Sequence, residues 1–212
     1  MSGSITLENR FGVNKMELIS LKYAIFVIVL LVLYYCFPKK YRWYVLLAGS
    51  MAYYVIICKW YVLFIIFTIC TTYGSTIWID KLLKEQNAIV KSHKEDWDRQ
   101  TRKEYKEKGR KKRVAVMLFA LLCNFGILAF LKYIPYAGEL GLLLPLGISF
   151  YTFQSMGYVM DVYREIVEPE KNFLKVALFV SFFPQIIQGP IAIYDKLAGQ
   201  LYEGHSMRLE NL

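Results

Sequence analysis

Residues 181–197 read SFFPQIIQGPIAIYDKL. The stretch is apolar enough for the middle of a bilayer, yet Pro184 interrupts it, Gln185 and Gln188 punctuate it, and Gly189-Pro190 closes it. Hydrocarbon offers no hydrogen bonds, so every such group in a membrane segment must be satisfied by protein or by water held within protein. What satisfies them decides how the whole chain is read.

Composition favours a membrane setting. Of 212 residues, 56% are hydrophobic and 17% aromatic, although the net charge is +9. Apolar and charged residues must then be segregated into blocks, which is the profile of a multi-spanning protein. Apolar runs near the roughly 20 residues needed to cross the hydrocarbon recur along the chain, where a soluble core would show a period of 2 or 3.6. The expected fold is all-α, a polytopic transmembrane helical protein of about six spans.

Working outward, the quoted stretch ends a sixth span over 172–188. Asn172 is a good N-cap, and the helix should finish before Pro190, since the residue preceding proline is pushed out of the helical region. A fifth span covers 140–160 and a fourth 114–134. The apolar run over 43–79 is too long for one crossing, and Lys59-Trp60 suggests two helices joined by a tight interfacial turn, with Trp43, Trp60 and Trp78 in an aromatic belt. The first span covers 18–37, with Lys22 snorkelling from one end and Pro38 stopping it. It runs into YYCFPKKYR rather than a small-residue cleavage site, so it should remain as a signal anchor. Three spans thus fill 18–79 behind a polar tail over 1–17, and three more fall within 114–212. SMRLENL at 206–212 offers Ser206 as the cap of a further helix.

Residues 80–113 read as a basic hydrophilic loop ending in Gly109-Arg110-Lys111-Lys112-Arg113. The positive-inside rule makes this loop cytoplasmic, which puts the N-terminus outside and Lys39, Lys40 and Arg42 inside. A basic segment tethered beside a bilayer and lacking a nucleic-acid motif points to anionic lipid headgroups, or to an acidic soluble partner, and not to nucleic acid.

Cys36, Cys58, Cys70 and Cys123 all fall in apolar runs with no C-x-x-C pair, which argues for small buried side chains and neither a disulfide framework nor a metal site. His93 lies among the charges of the loop and His205 in a short polar linker. Neither has the setting of a catalytic base, and no Ser-His-Asp set, phosphate loop or metal spacing occurs.

The polar residues of the spans are patterned. Tyr151, Gln154, Ser155, Tyr158 and Asp161 fall at i, i+3, i+4, i+7 and i+10 on one face of the fifth helix, while Phe150, Phe153, Gly157 and Met160 lie on another. Ser181, Gln185 and Gln188 form a second stripe at i, i+4 and i+7 on the sixth. Pro184 should leave the carbonyl of Val180 without its helical partner. Two readings follow. Either the stripes are interhelical glue, worth about 0.6 kcal/mol per bond, or they border a wet, substrate-filled interior. Asp161 and Arg164, at i and i+3, are expected to form a local ion pair.

The wording LPLGISFYTFQSMGYVMDVYR (144–164), followed by EKNFLKVALFVSFFPQIIQGPIAIYDKL (170–197), resembles the membrane-bound O-acyltransferase family, in its alginate O-acetyltransferase-like bacterial branch. YYCFPKKYRWYVLLAGSMAYY (34–54) fits the same family's opening helices. The motif residues include Ser149, Tyr151, Gln154, Tyr158, Asp161, Arg164, Ser181, Pro184, Gln185, Gln188, Gly189 and Pro190. Alginate-type relatives usually carry Ala where this chain has Gln188, and a basic residue where it has Ile193.

The resemblance implies a polytopic enzyme of the bacterial plasma (inner) membrane. It would take an acyl group, acetyl by the subgroup likeness, from a cytoplasmic thioester such as acetyl-CoA or an acyl carrier, and pass it to hydroxyls of an extracellular polysaccharide. An acyl-carrying soluble partner would meet the basic loop, acceptor machinery would meet the other face, and no cofactor would be held permanently. The family's essential histidine, a general base, lies beyond position 212, so the resemblance implies an N-terminal portion of such an acyltransferase, an incomplete form of the fold truncated at its C-terminus and inactive alone. The alternatives are a transporter component, since proline-broken helices also line solute pathways, and a non-catalytic fragment or scaffold.

Overall fold

The computed structural model describes residues 21–93, 96–133, 147–188 and 193–203, with side chains for all of these except 21, 22 and 186–188. Among the described residues every regular element is helical, as the sequence predicts. Helix α1 (Leu21–Cys36) ends at Phe37-Pro38. Arg42 closes the connection: its Nε donates to the Phe37 carbonyl at 3.0 Å while its guanidinium lies 5.3 and 5.2 Å from the ring centres of Tyr34 and Tyr35. A 3-10 turn over Lys39–Tyr41 leads into α2 (Arg42–Cys58), and a second over Lys59–Tyr61 leads into α3 (Val62–Ser92). This second turn falls where Lys59-Trp60 placed it, and Lys59 takes a left-handed φ of 47° that ends α2. Then follow α4 (Arg99–Tyr133), α5 (Ile148–Tyr163), α6 (Phe173–Ser181), α7 (Phe183–Gln188) and α8 (Tyr194–Tyr202).

Two helical runs, Lys39–Ser92 and Arg99–Tyr133, are long and apolar enough to cross a membrane, and Tyr23–Cys36 and Phe173–Gln185 are shorter apolar helices. Large apolar side chains remain on the outside, among them Ile28, Ile56, Leu63, Phe119 and Leu122. This is the surface of a helical membrane protein, for which lipid replaces water as the outer solvent. The core gathers around α3, which packs on α4, α5 and α6. Ile65, Ile69 and Ile79 of α3 meet Tyr151, Val159 and Phe179 in one buried cluster. Close approach of α1 to α2 depends on Gly49, where a Cβ would stand 2.4 Å from Leu30 Cδ1.

Two expectations are corrected. Trp60 and Trp78 are exposed, as an aromatic belt requires, but Trp43 is buried and stacks on Tyr44 at 3.6 Å, because it enters the core from the first turn of α2. The segment 80–113 is no loop either. α3 continues to Ser92 and α4 begins at Arg99, so this segment is a helical hairpin with a short turn between. Strong helix formers and i,i+4 pairs, Asp80 with Lys84, Lys81 with Glu85 and Glu107 with Lys111, sustain these polar helices outside the apolar spans.

Gln86 joins the two arms of the hairpin. Its Nε2 donates to the carbonyls of Lys106 at 2.8 Å and Tyr105 at 3.4 Å. Gly109 makes room, since a Cβ there would lie 2.6 Å from the Gln86 amide carbon. At the tip, Trp97 stacks on His93 with centroids 4.9 Å apart and tilts against Tyr105 at 5.0 Å.

A helical Gly→Ala change ordinarily stabilises by about 1 kcal/mol. Gly109→Ala should forfeit that gain, because it displaces Gln86 from its carbonyl partners. In a Gln86→Ala background the same substitution should become more favourable by about 1 kcal/mol, which thermal unfolding of the four proteins in detergent would measure.

Candidate functional site at the broken helix

The two faces predicted for α5 are real. Gly147, with φ of 69°, starts the helix and its carbonyl accepts from the Tyr151 amide at 3.1 Å. Tyr151, Gln154, Ser155 and Tyr158 are buried against protein, whereas Phe150 and Phe153 are exposed. Ser149 is half-buried at the margin, as is Asp161 toward the far end, where Arg164 emerges to solvent.

The sixth apolar segment is not one helix. Asn172 caps α6 as predicted, its Oδ1 accepting from the Leu174 amide at 3.0 Å, and Glu170 Oε1 in turn accepts from the Asn172 amide at 3.0 Å. α6 then ends at Ser181, and Phe182 is extended with φ −60° and ψ 102°. The chain restarts in α7, so Pro184 sits in a first turn, where its missing N–H costs no helical hydrogen bond. The break therefore precedes the proline. Ser181 and Gln185 do not share a continuous stripe, and the Ser181 hydroxyl donates to the Ala177 carbonyl at 2.7 Å.

The break exposes a carbonyl, and α5 answers it. Gln154 Nε2 donates to the carbonyl of Phe179 at 2.9 Å in a buried contact between the two helices. The expected orphan was Val180; the acceptor observed is one residue earlier, and α6 stops two residues before the position a kink at Pro184 would impose. Gln154 thus acts as the bond between helices that one of the two readings supposed.

Other polar atoms in this interior keep the second reading open. Tyr151 Oη, Ser155 Oγ, Ser50 Oγ and Thr72 Oγ1 are buried without a hydrogen-bond partner among the described residues, as is Gln185 Oε1. The Tyr54 ring meets Tyr151 edge-on at 6.3 Å. Gln188 ends α7, its side chain lying outside the described set, and Gly189, Pro190 and His205 also lie outside the described residues.

Sequence reading missed what covers the break. On α8, Tyr194 stacks on Tyr158 at 4.1 Å and meets Phe179 edge-on at 4.9 Å. The Tyr202 hydroxyl donates to the Lys175 carbonyl at 2.9 Å, and the Lys175 ammonium lies 4.7 Å from the Tyr202 ring centre and 3.7 Å from Glu170. The Tyr158 hydroxyl accepts from the Glu170 amide at 2.8 Å. Burial pushes the hydroxyls of Tyr194 and Tyr202 above the usual phenol range, so both stay neutral hydrogen-bonding groups. The available signal was the spacing of Tyr194, Leu197, Ala198 and Leu201 at i, i+3, i+4 and i+7, the buried face of α8.

At the opposite end of α5 the ion pair differs from the one expected. Asp161 and Arg164 form no ion pair among the described residues. The helix ends with the Ile166 amide donating to the Asp161 carbonyl at 3.0 Å and the Glu165 amide to the Val162 carbonyl at 3.1 Å, the pairing of a Schellman cap. Glu165 holds the left-handed position usually given to glycine, φ 62°, and its carboxylate accepts from Arg113 Nη1 at 2.8 Å. Arg110 Nε donates to the Tyr163 hydroxyl at 3.4 Å. The hairpin is thereby fastened to the end of α5.

No family profile and no solved structure matches the chain. Curated proteins do match over part of it. It is 47% identical over 58 residues to a probable alginate O-acetylase AlgI of Pseudomonas syringae pv. tomato, covering 27% of this chain and 11% of that protein. It is 37% identical over 83 residues to the Pseudomonas putida protein of the same name, covering 39% and 16%. It is 30% identical over 129 residues to a peptidoglycan O-acetyltransferase of Helicobacter pylori, covering 44% and 24%. These matches span between 11 and 24% of the relatives' lengths. The resemblance to alginate-type membrane-bound O-acyltransferases is borne out.

Gln154→Leu should leave the Phe179 carbonyl buried and unpaired and lower stability by about 1–3 kcal/mol. Gln154→Asn, too short to reach, should lose a similar amount, while Phe150→Leu on the exposed face should change stability by less than about 0.5 kcal/mol. Thermal unfolding in a single detergent would distinguish them.

Proposed function

We propose that the chain is part of a membrane O-acyltransferase that moves an acetyl group from a thioester donor onto hydroxyls of an envelope polysaccharide. The observation that carries this reading is the coincidence of two things: a helix broken inside the apolar bundle, with buried polar groups around it, and partial sequence similarity of the chain to O-acetyltransferases. A donor on one side of a bilayer and an acceptor on the other need a polar passage through protein, and helices that cannot remain regular are the usual material for one.

In the reaction proposed, the acceptor oxygen bonds to the acyl carbon, the carbon–sulfur bond of the thioester breaks, and the hydroxyl proton passes by way of a general base to the departing thiolate. By the resemblance the base is a histidine, and His93, the one histidine among the described residues, does not fit that role. His93 is exposed beyond the end of α3, its Nδ1 within 3.1 Å of the Ile89 carbonyl and its ring stacked on Trp97, far along the hairpin from the break. The contribution of this chain is positional: Gln154 fixes the break, Tyr158 and Tyr194 cover it, and Tyr151 and Ser155 present hydroxyls toward the interior. The donor is acetyl-CoA or an acyl carrier arriving at the basic hairpin, in a bacterial inner membrane with the N-terminus outside.

Disrupting the gene should remove ester-linked acetate from the envelope polysaccharide, measured as acetate released by mild alkali; unchanged ester content would overturn the proposal. The 212 residues reconstituted alone in proteoliposomes with acetyl-CoA and polysaccharide should show no transfer above background, as His93 sits at the hairpin tip, away from the break.

A further inference from the structure

The run Arg110-Lys111-Lys112-Arg113 is divided by helical geometry. Arg113 is turned inward to Glu165, with its side chain only 10% exposed, and Arg110 reaches Tyr163. At ~100° per residue, Lys108, Lys111 and Lys112 all fall on the side of α4 opposite Arg113, and all three are exposed. The same side continues into the span as Ala115, Leu118, Phe119 and Leu122, likewise exposed. One face of one unbroken helix therefore carries a lysine cluster directly above an apolar stripe.

The heights match a lipid. With a rise of about 1.5 Å per residue, Lys112, Lys111 and Lys108 stand roughly 3, 4.5 and 9 Å beyond Val114, the first apolar residue of the span. The polar layer of a leaflet is about 5–8 Å deep, and lysine side chains can reach back into it. Lys103 and Lys106, about 12–17 Å beyond Val114, stand above that layer. Glu107, 3.5 Å from Lys111 in an exposed pair, cancels one of the three positive charges and leaves the cluster with a net positive surplus.

We propose that this face of α4 binds an anionic phospholipid of the surrounding bilayer, its phosphate taken by Lys108, Lys111 and Lys112 and an acyl chain lying along Leu118, Phe119 and Leu122. The pair Arg113–Glu165 holds the helix in the rotation that presents the lysines outward. The inference is independent of the acyl-transfer reading, and its failure would leave that reading untouched.

The test is lipid retention by the purified chain, read by native mass spectrometry after exposure to equal amounts of phosphatidylglycerol and phosphatidylcholine. The wild-type chain should retain phosphatidylglycerol over phosphatidylcholine about tenfold. The triple variant Lys108→Gln, Lys111→Gln, Lys112→Gln should lose most of that preference while keeping wild-type helicity by circular dichroism, and Lys103→Gln with Lys106→Gln should leave it unchanged. Should the triple variant not fold, Lys112→Gln alone should lower the preference about threefold. An undiminished preference in the lysine variants, or an equal loss in the distal pair, would overturn the proposal. So would an equal response to inorganic phosphate, or binding of soluble polyglutamate in place of lipid, which would assign the lysines to an acidic protein partner.

Discussion

Everything in this bundle answers to the hydrogen bond that hydrocarbon cannot supply. Where α6 stops at Ser181, carbonyls are released in the middle of an apolar segment, and the Gln154 amide of α5 receives one of them at Phe179. The consequence extends in both directions. Because Gln154 must face α6, the polar face of α5 is turned inward and its phenylalanines outward, which fixes the rotation of that helix against α3 and α4. The restart in α7 places Pro184 where a missing donor costs nothing, and the chain then returns through α8 to cover the same region with Tyr194.

A second tie governs the basic face. The hairpin formed by the ends of α3 and α4 is held together internally by Gln86 and joined to the end of α5 by Arg113 and Arg110. Glu165 adopts a backbone conformation that costs an L-residue roughly 1–2 kcal/mol, and glycine would remove that cost together with the carboxylate. The ionic contact therefore stands at a position the helix cap alone would assign to glycine. Helix α5 is thus anchored by unlike means, a neutral amide midway along it within the bundle and a charged pair at its C-terminal edge.

Much of this was legible in the sequence. Block segregation of apolar and charged residues gave the helical membrane class, Lys59-Trp60 gave the turn between α2 and α3, Asn172 gave a cap, and the i, i+3, i+4, i+7 spacing from Tyr151 gave the buried face of α5. What was not legible required partners distant in sequence. The charge of 80–113 suggested a solvated loop, but its lysines and glutamates are also good helix formers at pairing distance, and helix won. Pro184 marked the break only to within a turn, because a restart is cheaper than a kink. Asp161 and Arg164 looked like neighbours on a helix, but the helix was already ending there, and the cation that mattered lay on α4. The spacing from Tyr194 to Leu201 marked a buried face on α8, but its partner Tyr158 lies on another helix far away in sequence, so the stacking itself was not announced.

The continuity of α3 and α4 out of the membrane has a mechanical side. A flexible loop of the same length would absorb any displacement of its tip as slack. Two helices clasped at Gln86 form a stiff handle, about 20 Å long if the arm is taken as residues 80–92. Torque applied near Trp97 arrives at the footing of α5 with little damping. Whatever moves that handle moves the end of α5 with it, through Arg113 and Arg110.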